Sequence, residues 1–277
     1  MRKKIQPATA TLEKKLARVR GILVGVKKAA VAFSGGVDST LLLALAAETL
    51  GKKDVLAVTA VSPTYPDAER SLAVSLARRL GVVHLLLKTG ECGRNEFVRN
   101  DKNRCYYCKR ELFSRMEREV LRRGFSVILE ATNRDDAGDY RPGERARKDF
   151  PVVSPFQRAG FSKKDIRFLA KSYGLPNWNK PSQACLASRI PYGDRITPER
   201  LKRIEQAEEM LRSRGFATVR VRDYGAIARI EVESSDFSRL LKKRGKIIPF
   251  LKRLGFTYVT LDLQGFRTGS MNEGNSG

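Results

Sequence analysis

The sequence predicts an α/β fold, a parallel sheet covered by helices on both faces, followed by a smaller C-terminal α+β domain. Three observations lead there. Apolar runs of strand length alternate with segments of helical period through the first half of the chain. The first of these runs opens into a glycine-rich turn and a helix. After Pro155 the texture changes to turn-rich stretches and strands with alternating polarity.

Thr11 to Val26 carries Leu12, Leu16, Val19, Ile22 and Leu23 at three- and four-residue spacing, which predicts an amphipathic helix. Ala29 to Phe33 is a buried strand, and Ser34 to Thr40 leads into a helix over Leu41 to Leu50 that Gly51 closes. Asp54 to Val61 is a second strand, Pro66 to Leu80 a helix ending at Gly81, and Val82 to Leu87 a third strand. A helix around Arg110 to Arg123 and a strand over Phe125 to Glu130 follow. Parallel sheets take their ligands at the carboxyl ends of strands, so the loops after Phe33, Ala60, Leu87 and Glu130 are the expected ligand edge. Further on, Ser162 to Tyr173 and Thr197 to Arg214 read as helices, the second with Pro198 in its first turn. Thr218 to Arg222, Ile227 to Val232 and Tyr258 to Leu263 read as strands. The expected division is 1–160 for the first domain and 161–277 for the second.

Composition narrows the function classes. With 42% hydrophobic residues in 277, the chain can bury a full core, and disorder throughout is excluded. The longest apolar run, Leu41 to Ala47, is far short of the ~18–20 residues of a membrane span. The first residues lack the apolar core of a secretory leader, so a cytoplasmic protein is expected. One histidine, His84, lies inside an apolar run, where a buried or edge-strand residue without chemistry is expected. A histidine triad or an imidazole-based zinc site would depend on it alone. The net charge is +24, from 54 basic and 30 acidic residues. It is spread evenly, with 31 basic and 18 acidic residues in 1–159 and 23 and 12 in 160–277. That distribution weakens the reading of nucleic acid as the substrate, and attraction of small polyanionic substrates, general solubility, or a high-temperature or high-salt lifestyle would each explain the charge.

Ser34-Gly35-Gly36-Val37-Asp38-Ser39-Thr40 sits between a strand and a helix start. The glycines let the backbone approach an anion, and Ser34, Ser39 and Thr40 add hydroxyls at the positive end of the helix dipole. Neither the Gly-Lys-Ser/Thr of a Walker loop nor G-x-G-x-x-G spacing is present. The segment resembles the loop of the PP-loop ATPases, Ser-Gly-Gly-x-Asp-Ser, with their adenine nucleotide alpha hydrolase-like fold. That resemblance implies that ATP is cleaved between its α and β phosphates. Ser34, Gly35, Gly36, Asp38, Ser39 and Thr40 would hold the leaving pyrophosphate, with Asp38 helping to hold Mg2+.

Arg104-Cys105-Tyr-Tyr-Cys108-Lys109 places two thiols one helical turn apart, and Cys185 lies in the turn-rich segment. On residue chemistry alone, a dithiol redox pair, structural zinc and a three-cysteine [4Fe–4S] cluster all compete. Cys92 reads as an ordinary surface or half-buried thiol. Four cysteines in such a chain do not suggest a disulfide scaffold.

Longer strings narrow the resemblance. Asp139 to Gly143, Asn177-Trp-Asn-Lys180, Ser188 to Gly193, Leu211 to Phe216, Thr218 to Arg222, Ile227 to Glu231 and Tyr258 to Arg267 all resemble the LarE family, over nearly the whole chain. LarE-type enzymes are ATP-dependent sulfur transferases of nickel-pincer nucleotide biosynthesis. The resemblance implies adenylation of a carboxylate of pyridinium-3,5-biscarboxylic acid mononucleotide, then displacement of AMP by sulfur. Some members sacrifice one cysteine and lack counterparts of Cys105 and Cys108. Three-cysteine members use a [4Fe–4S] cluster, which implies Cys105, Cys108 and Cys185 as its ligands here. By the same resemblance Ser188, Arg189, Arg220 and Arg222 contact substrate, and Cys185, Glu208 and Asp38 take part in the chemistry. Asp139 and Arg141 point to the ligand edge, Lys109 is a candidate phosphate contact, and a homo-oligomer is expected. The rival readings are a tRNA thiolation enzyme, an amide-forming ATP pyrophosphatase and an RNA-binding protein with structural zinc.

Overall fold

Ala29, Ala30 and Val31 are fully buried, and their strand, β1 (Ala29–Ala32), is the centre of a five-stranded parallel sheet. β2 (Val55–Val61) and then β3 (Val83–Lys88) lie to one side, and β4 (Val127–Leu129) and β5 (Val152–Val153) to the other. The register pairs Val31 with Ala57 and with Leu129. The computed structural model describes residues 10–138, 143–181 and 184–267. Strand order reverses at β1, so the crevice between the carboxyl ends of β1 and β4 is the switch point where such sheets bind ligands.

Both faces of this sheet are covered, because successive strand residues point to opposite sides. Ala29, Val31, Val55 and Ala57 face one core. It also holds residues of α1 (Ala10–Val26), α2 (Val37–Leu50) and α3 (Asp67–Leu80). Ala30, Leu56, Val58 and Ile128 face the other, against Phe113, Met116 and Val120. Two helices follow α3: α4 (Asn95–Val98), and α5 (Arg104–Arg122), which carries those last three residues. α2 is buried nearly all round from Val37 to Ala46, as a helix between a sheet and other helices must be.

α6 (Gly143–Arg147), α7 (Pro155–Arg158) and α8 (Lys163–Ser172) complete this unit. Ile166, Leu169 and Ala170 of α8 are buried in the same core as β1 and α2. The first compact unit therefore runs to Glu91 and from Cys105 to Gln183, whereas the change of texture had suggested a boundary at 160/161. α8 is amphipathic like any surface helix, and its sequence does not say which core its apolar face joins. β5, with two residues, is too short to give a periodic signal.

The second unit comprises Cys92–Arg104 and Ala184–Gly277. α9 (Pro198–Ser213), capped by the Thr197 hydroxyl, packs on a three-stranded sheet of β6 (Val219–Tyr224), β7 (Ile227–Val232) and β8 (Tyr258–Leu261). β6 and β7 form an antiparallel hairpin whose turn uses Gly225 at φ +69. α10 (Phe237–Lys242) and α11 (Arg244–Arg253) lie on the crossover to β8, which is parallel to β7. The early segment is stitched in by Asn100, whose backbone is left-handed at φ +55. Its amide donates to the carbonyls of Pro191 (2.6 Å) and Asp194 (2.9 Å), and its carbonyl accepts from Gly193 N–H. Among the described residues no helix is long and apolar enough to cross a membrane.

Candidate active site

β1 ends at the phosphate loop. Gly35 has φ +66, and a Cβ there would come within 3.2 Å of Ala73 Cα on α3, so both conformation and space call for glycine. Gly36 is the N-cap of α2, and no side chain caps that end. The first-turn amides of α2 therefore remain available to an anion, at the positive end of the helix dipole. The Ser39 and Thr40 hydroxyls donate to Gly36 O at 3.1 and 2.8 Å, and Ser34 Oγ lies 3.1 Å from Ser39 Oγ. Ser39 and Thr40 are buried. In this structure their hydroxyls lock the loop, whereas the sequence suggested ligand donors.

Asp38 lies in the first turn of α2. Lys163, at the start of α8, holds both its carboxylate oxygens, one at 2.6 Å. Burial raises the Asp38 pKa above the ordinary carboxylate value, with Lys163 opposing and Asp136 adding to the rise. Asp136 belongs to the turn after β4, where its carboxylate accepts from Asn133 N–H. Asp135 of the same turn accepts from the amide of Lys163. Loops after β1 and β4 thus meet at α8, at the switch point. A hard divalent cation suits this carboxylate beside a phosphate loop, and Asp38 is the residue that would hold it.

The second unit gathers the other predicted residues. Cys185 is exposed and precedes a short 3₁₀ turn, Leu186–Arg189. Its carbonyl accepts from the Ser188 hydroxyl (2.8 Å) and from Arg189. Every nitrogen of Arg189 is engaged: Nε and one terminal nitrogen donate to Glu208, and the other donates to Ala184 O, Cys185 O and Ser188 Oγ. Glu208 is completely buried and also accepts from Arg212 and from Val221 N–H. Burial alone would raise its pKa, but these partners hold the carboxyl below the ordinary glutamate value. Arg222 is bidentate to Glu231, at 2.9 and 2.8 Å, and donates to Ser188 O. Arg220 differs. It stacks on Phe266, donates to Arg267 O, and has no carboxylate partner among the described residues. Burial, with repulsion from Arg189 and Arg222, brings its pKa down to about 10. Glu231 and Glu208 act in the opposite direction without pairing with it, and a buried cation that has no ion pair of its own suits an anion.

The family model described as NAD synthase matches residues 8–104, which include the phosphate loop. The pyridinium-3,5-bisthiocarboxylic acid mononucleotide synthase of Lactiplantibacillus plantarum is 39% identical over 264 residues, covering 95% of this chain and 96% of that protein. The chain belongs to the LarE family. An uncharacterized Synechocystis protein is 39% identical over 263 residues, 94% of this chain and 98% of its own. An uncharacterized protein of Methanocaldococcus jannaschii is 32% identical over 242 residues, 87% and 92% of the two chains. The PP-loop fold and an enzyme of ATP-using type follow for this LarE-family chain.

Cys105 and Cys108 sit in the first turn of α5, one exposed and the other half-buried, and Cys92 is half-buried. None of the four cysteines forms a disulfide. Among the described residues no three His, Cys, Asp or Glu side chains stand together as a metal site. The thiol pair belongs to one unit and Cys185 to the other, so neither unit alone supplies three cluster ligands. Lys109 lies 3.7 Å from Glu130, at the end of β4. Asp139 and Arg141 lie outside the described residues. His84 is on edge strand β3, its Nε2 2.8 Å from Thr59 Oγ1, and burial lowers its pKa. The LarE-family strings contain Asn177 and Lys180 but give them no role. Asn177 donates to Gly35 O and Thr40 Oγ1, and Lys180 pairs with Glu69 on α3. Sequence reasoning missed Lys163 and Asp136. A Ser-Lys-Lys-Asp helix start signals a cap, not a partner for Asp38.

Proposed function

We propose that this chain inserts sulfur into pyridinium-3,5-biscarboxylic acid mononucleotide at the expense of ATP. A carboxylate oxygen of the mononucleotide attacks the α-phosphorus. The bond to the bridging oxygen breaks, and pyrophosphate leaves into the loop of Ser34 to Thr40, its charge met by the α2 amides; Asp38 is the residue that would hold Mg2+, which when bound would add countercharge there. The acyl-adenylate is then an electrophile. Hydrosulfide adds to the acyl carbon, AMP leaves with the original carboxylate oxygen, and one proton is lost, giving the thiocarboxylate. A second round treats the other carboxylate.

The observation that carries this reading is the lattice around Cys185, an exposed thiol on a backbone clamped by Arg189, together with Arg220 of the same unit, a buried cation that forms no ion pair among the described residues. Arg220 would take the phosphate or a carboxylate of the mononucleotide. Ser188 and Arg189 set the Cys185 loop, and Glu208 serves by holding Arg189, since a fully buried carboxylate with four donors is poorly placed to move a proton. Cys105, Cys108 and Cys185 are the thiols that would hold a [4Fe–4S] cluster, which when bound supplies an open iron for a non-protein sulfide. A homo-oligomer and a cytoplasmic setting belong to the same reading.

The test is an anaerobic incubation with ATP, Mg2+, sulfide and the mononucleotide, followed by mass measurement of product and protein. Product that gains sulfur, with AMP and pyrophosphate released and the protein mass unchanged, supports the catalytic reading. A protein lighter by hydrogen sulfide at Cys185 replaces it with sacrifice of that thiol. Release of ADP would overturn adenylation.

A further inference from the structure

Four consecutive carbonyls of the phosphate loop are each bound by a side chain. Thr59 Oγ1 donates to Phe33 O at 2.5 Å. Tyr65 Oη donates to Ser34 O at 2.8 Å. Asn177 Nδ2 donates to Gly35 O at 2.9 Å. The Ser39 and Thr40 hydroxyls donate to Gly36 O. Three of these five side chains, Thr59, Tyr65 and Asn177, lie outside the segment Ser34 to Thr40, on β2, on the loop after it, and beyond α8.

A trans peptide is planar, and its C=O points opposite to the N–H of the next residue. Binding the carbonyls of Ser34, Gly35 and Gly36 therefore turns the amides of Gly35, Gly36 and Val37 away from those donors, and Gly36 N–H makes only a long contact, 3.4 Å, to Ser34 Oγ of the same loop. The Gly35–Gly36 peptide needs this most. It is flanked by two residues without Cβ, so sterics do little to stop it from turning over. Asn177 is the side chain that holds its carbonyl. The amide orientation of Asn177 follows from its partners. Gly35 O can only accept, and Thr40 Oγ1, whose proton goes to Gly36 O, must accept at its 3.0 Å contact with Asn177. Both contacts require N–H donors, which only Nδ2 supplies. His84 extends the chain one step outward. With the Thr59 proton committed to Phe33 O, the 2.8 Å contact to His84 is an Nε2–H donated to Thr59.

We propose that Asn177 and Tyr65 are positioning residues of the pyrophosphate site, which preset the loop amides toward the phosphates by tying the Gly35 and Ser34 carbonyls behind it. The inference rests on the reading of this loop as the pyrophosphate holder. Neither side chain need touch the nucleotide. Asn177→Asp keeps the shape but sets an acceptor against Gly35 O, Asn177→Leu removes both donors, and Tyr65→Phe removes a single hydroxyl.

The full-length protein and these variants are titrated calorimetrically with magnesium pyrophosphate and with MgATP. Hydrogen exchange is followed for the peptide covering 33–37 and for β2. Each variant is expected to bind pyrophosphate at least tenfold more weakly, about 1.4 kcal/mol. Exchange should quicken in the loop, with β2 unchanged, a pattern that general loosening of the fold would not give. Wild-type binding together with variant affinities within twofold would overturn the positioning role alone. Failure of the wild type to bind either ligand would overturn it along with the pyrophosphate reading. Should the Asn177 variants not fold, Tyr65→Phe decides the matter.

Discussion

Glu208→Gln separates a scaffold carboxylate from an acid–base catalyst. The wild-type side chain is fully buried and accepts from Arg189 at 2.8 and 3.2 Å, from Arg212, and from Val221 N–H at 3.2 Å. Arg189 is 2% exposed, so the variant leaves a buried guanidinium without its counter-charge. Removing one partner of such a pair costs ~3–5 kcal/mol. With an m-value of about 2 kcal/mol/M, the urea midpoint of the second unit falls by about 1.5–2.5 M. Asp236→Asn is the comparison. It breaks a pair with Arg239, whose side chain is 43% exposed, and should cost ~0–1 kcal/mol. The pH dependence has a definite sign. Because the folded state holds the Glu208 carboxyl below its ordinary value, its contribution is complete above about pH 4.3 and is lost as pH falls through the lower folded pKa. The variant lacks that acid-sensitive increment. Circular dichroism melts at several pH values provide the measurement. A midpoint shift no larger than that of Asp236→Asn would refute the scaffold role, and lost turnover at unchanged stability would make Glu208 a catalyst.

Three further outcomes follow from the geometry. Gly35→Ala must adopt a left-handed φ, at ~1–2 kcal/mol, and its Cβ meets the α3 backbone at Ala73; MgATP affinity measured by calorimetry should fall at least tenfold. Arg220→Gln removes a cation that has no acid partner among the described residues, so the KM for the mononucleotide should rise about tenfold or more while the melting temperature holds or increases; an unchanged KM would remove Arg220 from the substrate site. Lys163→Met leaves the half-buried Asp38 without its ammonium partner, and equilibrium titration should show weaker MgATP binding, with the secondary structure retained by circular dichroism.

The first unit was largely legible along the chain. Apolar runs such as Ala29 to Phe33 and Asp54 to Val61 carry their own signal, because a parallel strand is buried on both faces wherever it sits. The phosphate loop was legible for a similar reason. Its glycines, its hydroxyls and the helix start are contiguous, so the whole cradle is local. The boundary at Gln183 was not, since α8 could have joined either core. Arg220 and Arg222 were placed on one strand by their alternation, but nothing local says that Glu231, opposite Arg220 in the hairpin register, gives its carboxylate to Arg222 and leaves Arg220 without an ion pair among the described residues.

Sequence by itself determined the elements, the loop, the family and the candidate thiols, because each depends on residues within a few positions of one another. Tertiary structure decided the partners. Asp38 meets Lys163, Gly35 meets Asn177 and Glu208 meets Arg189 only after folding. A charge or hydrogen bond acts over a few ångströms, and which distant side chains come that close is set by how the helices and sheets pack.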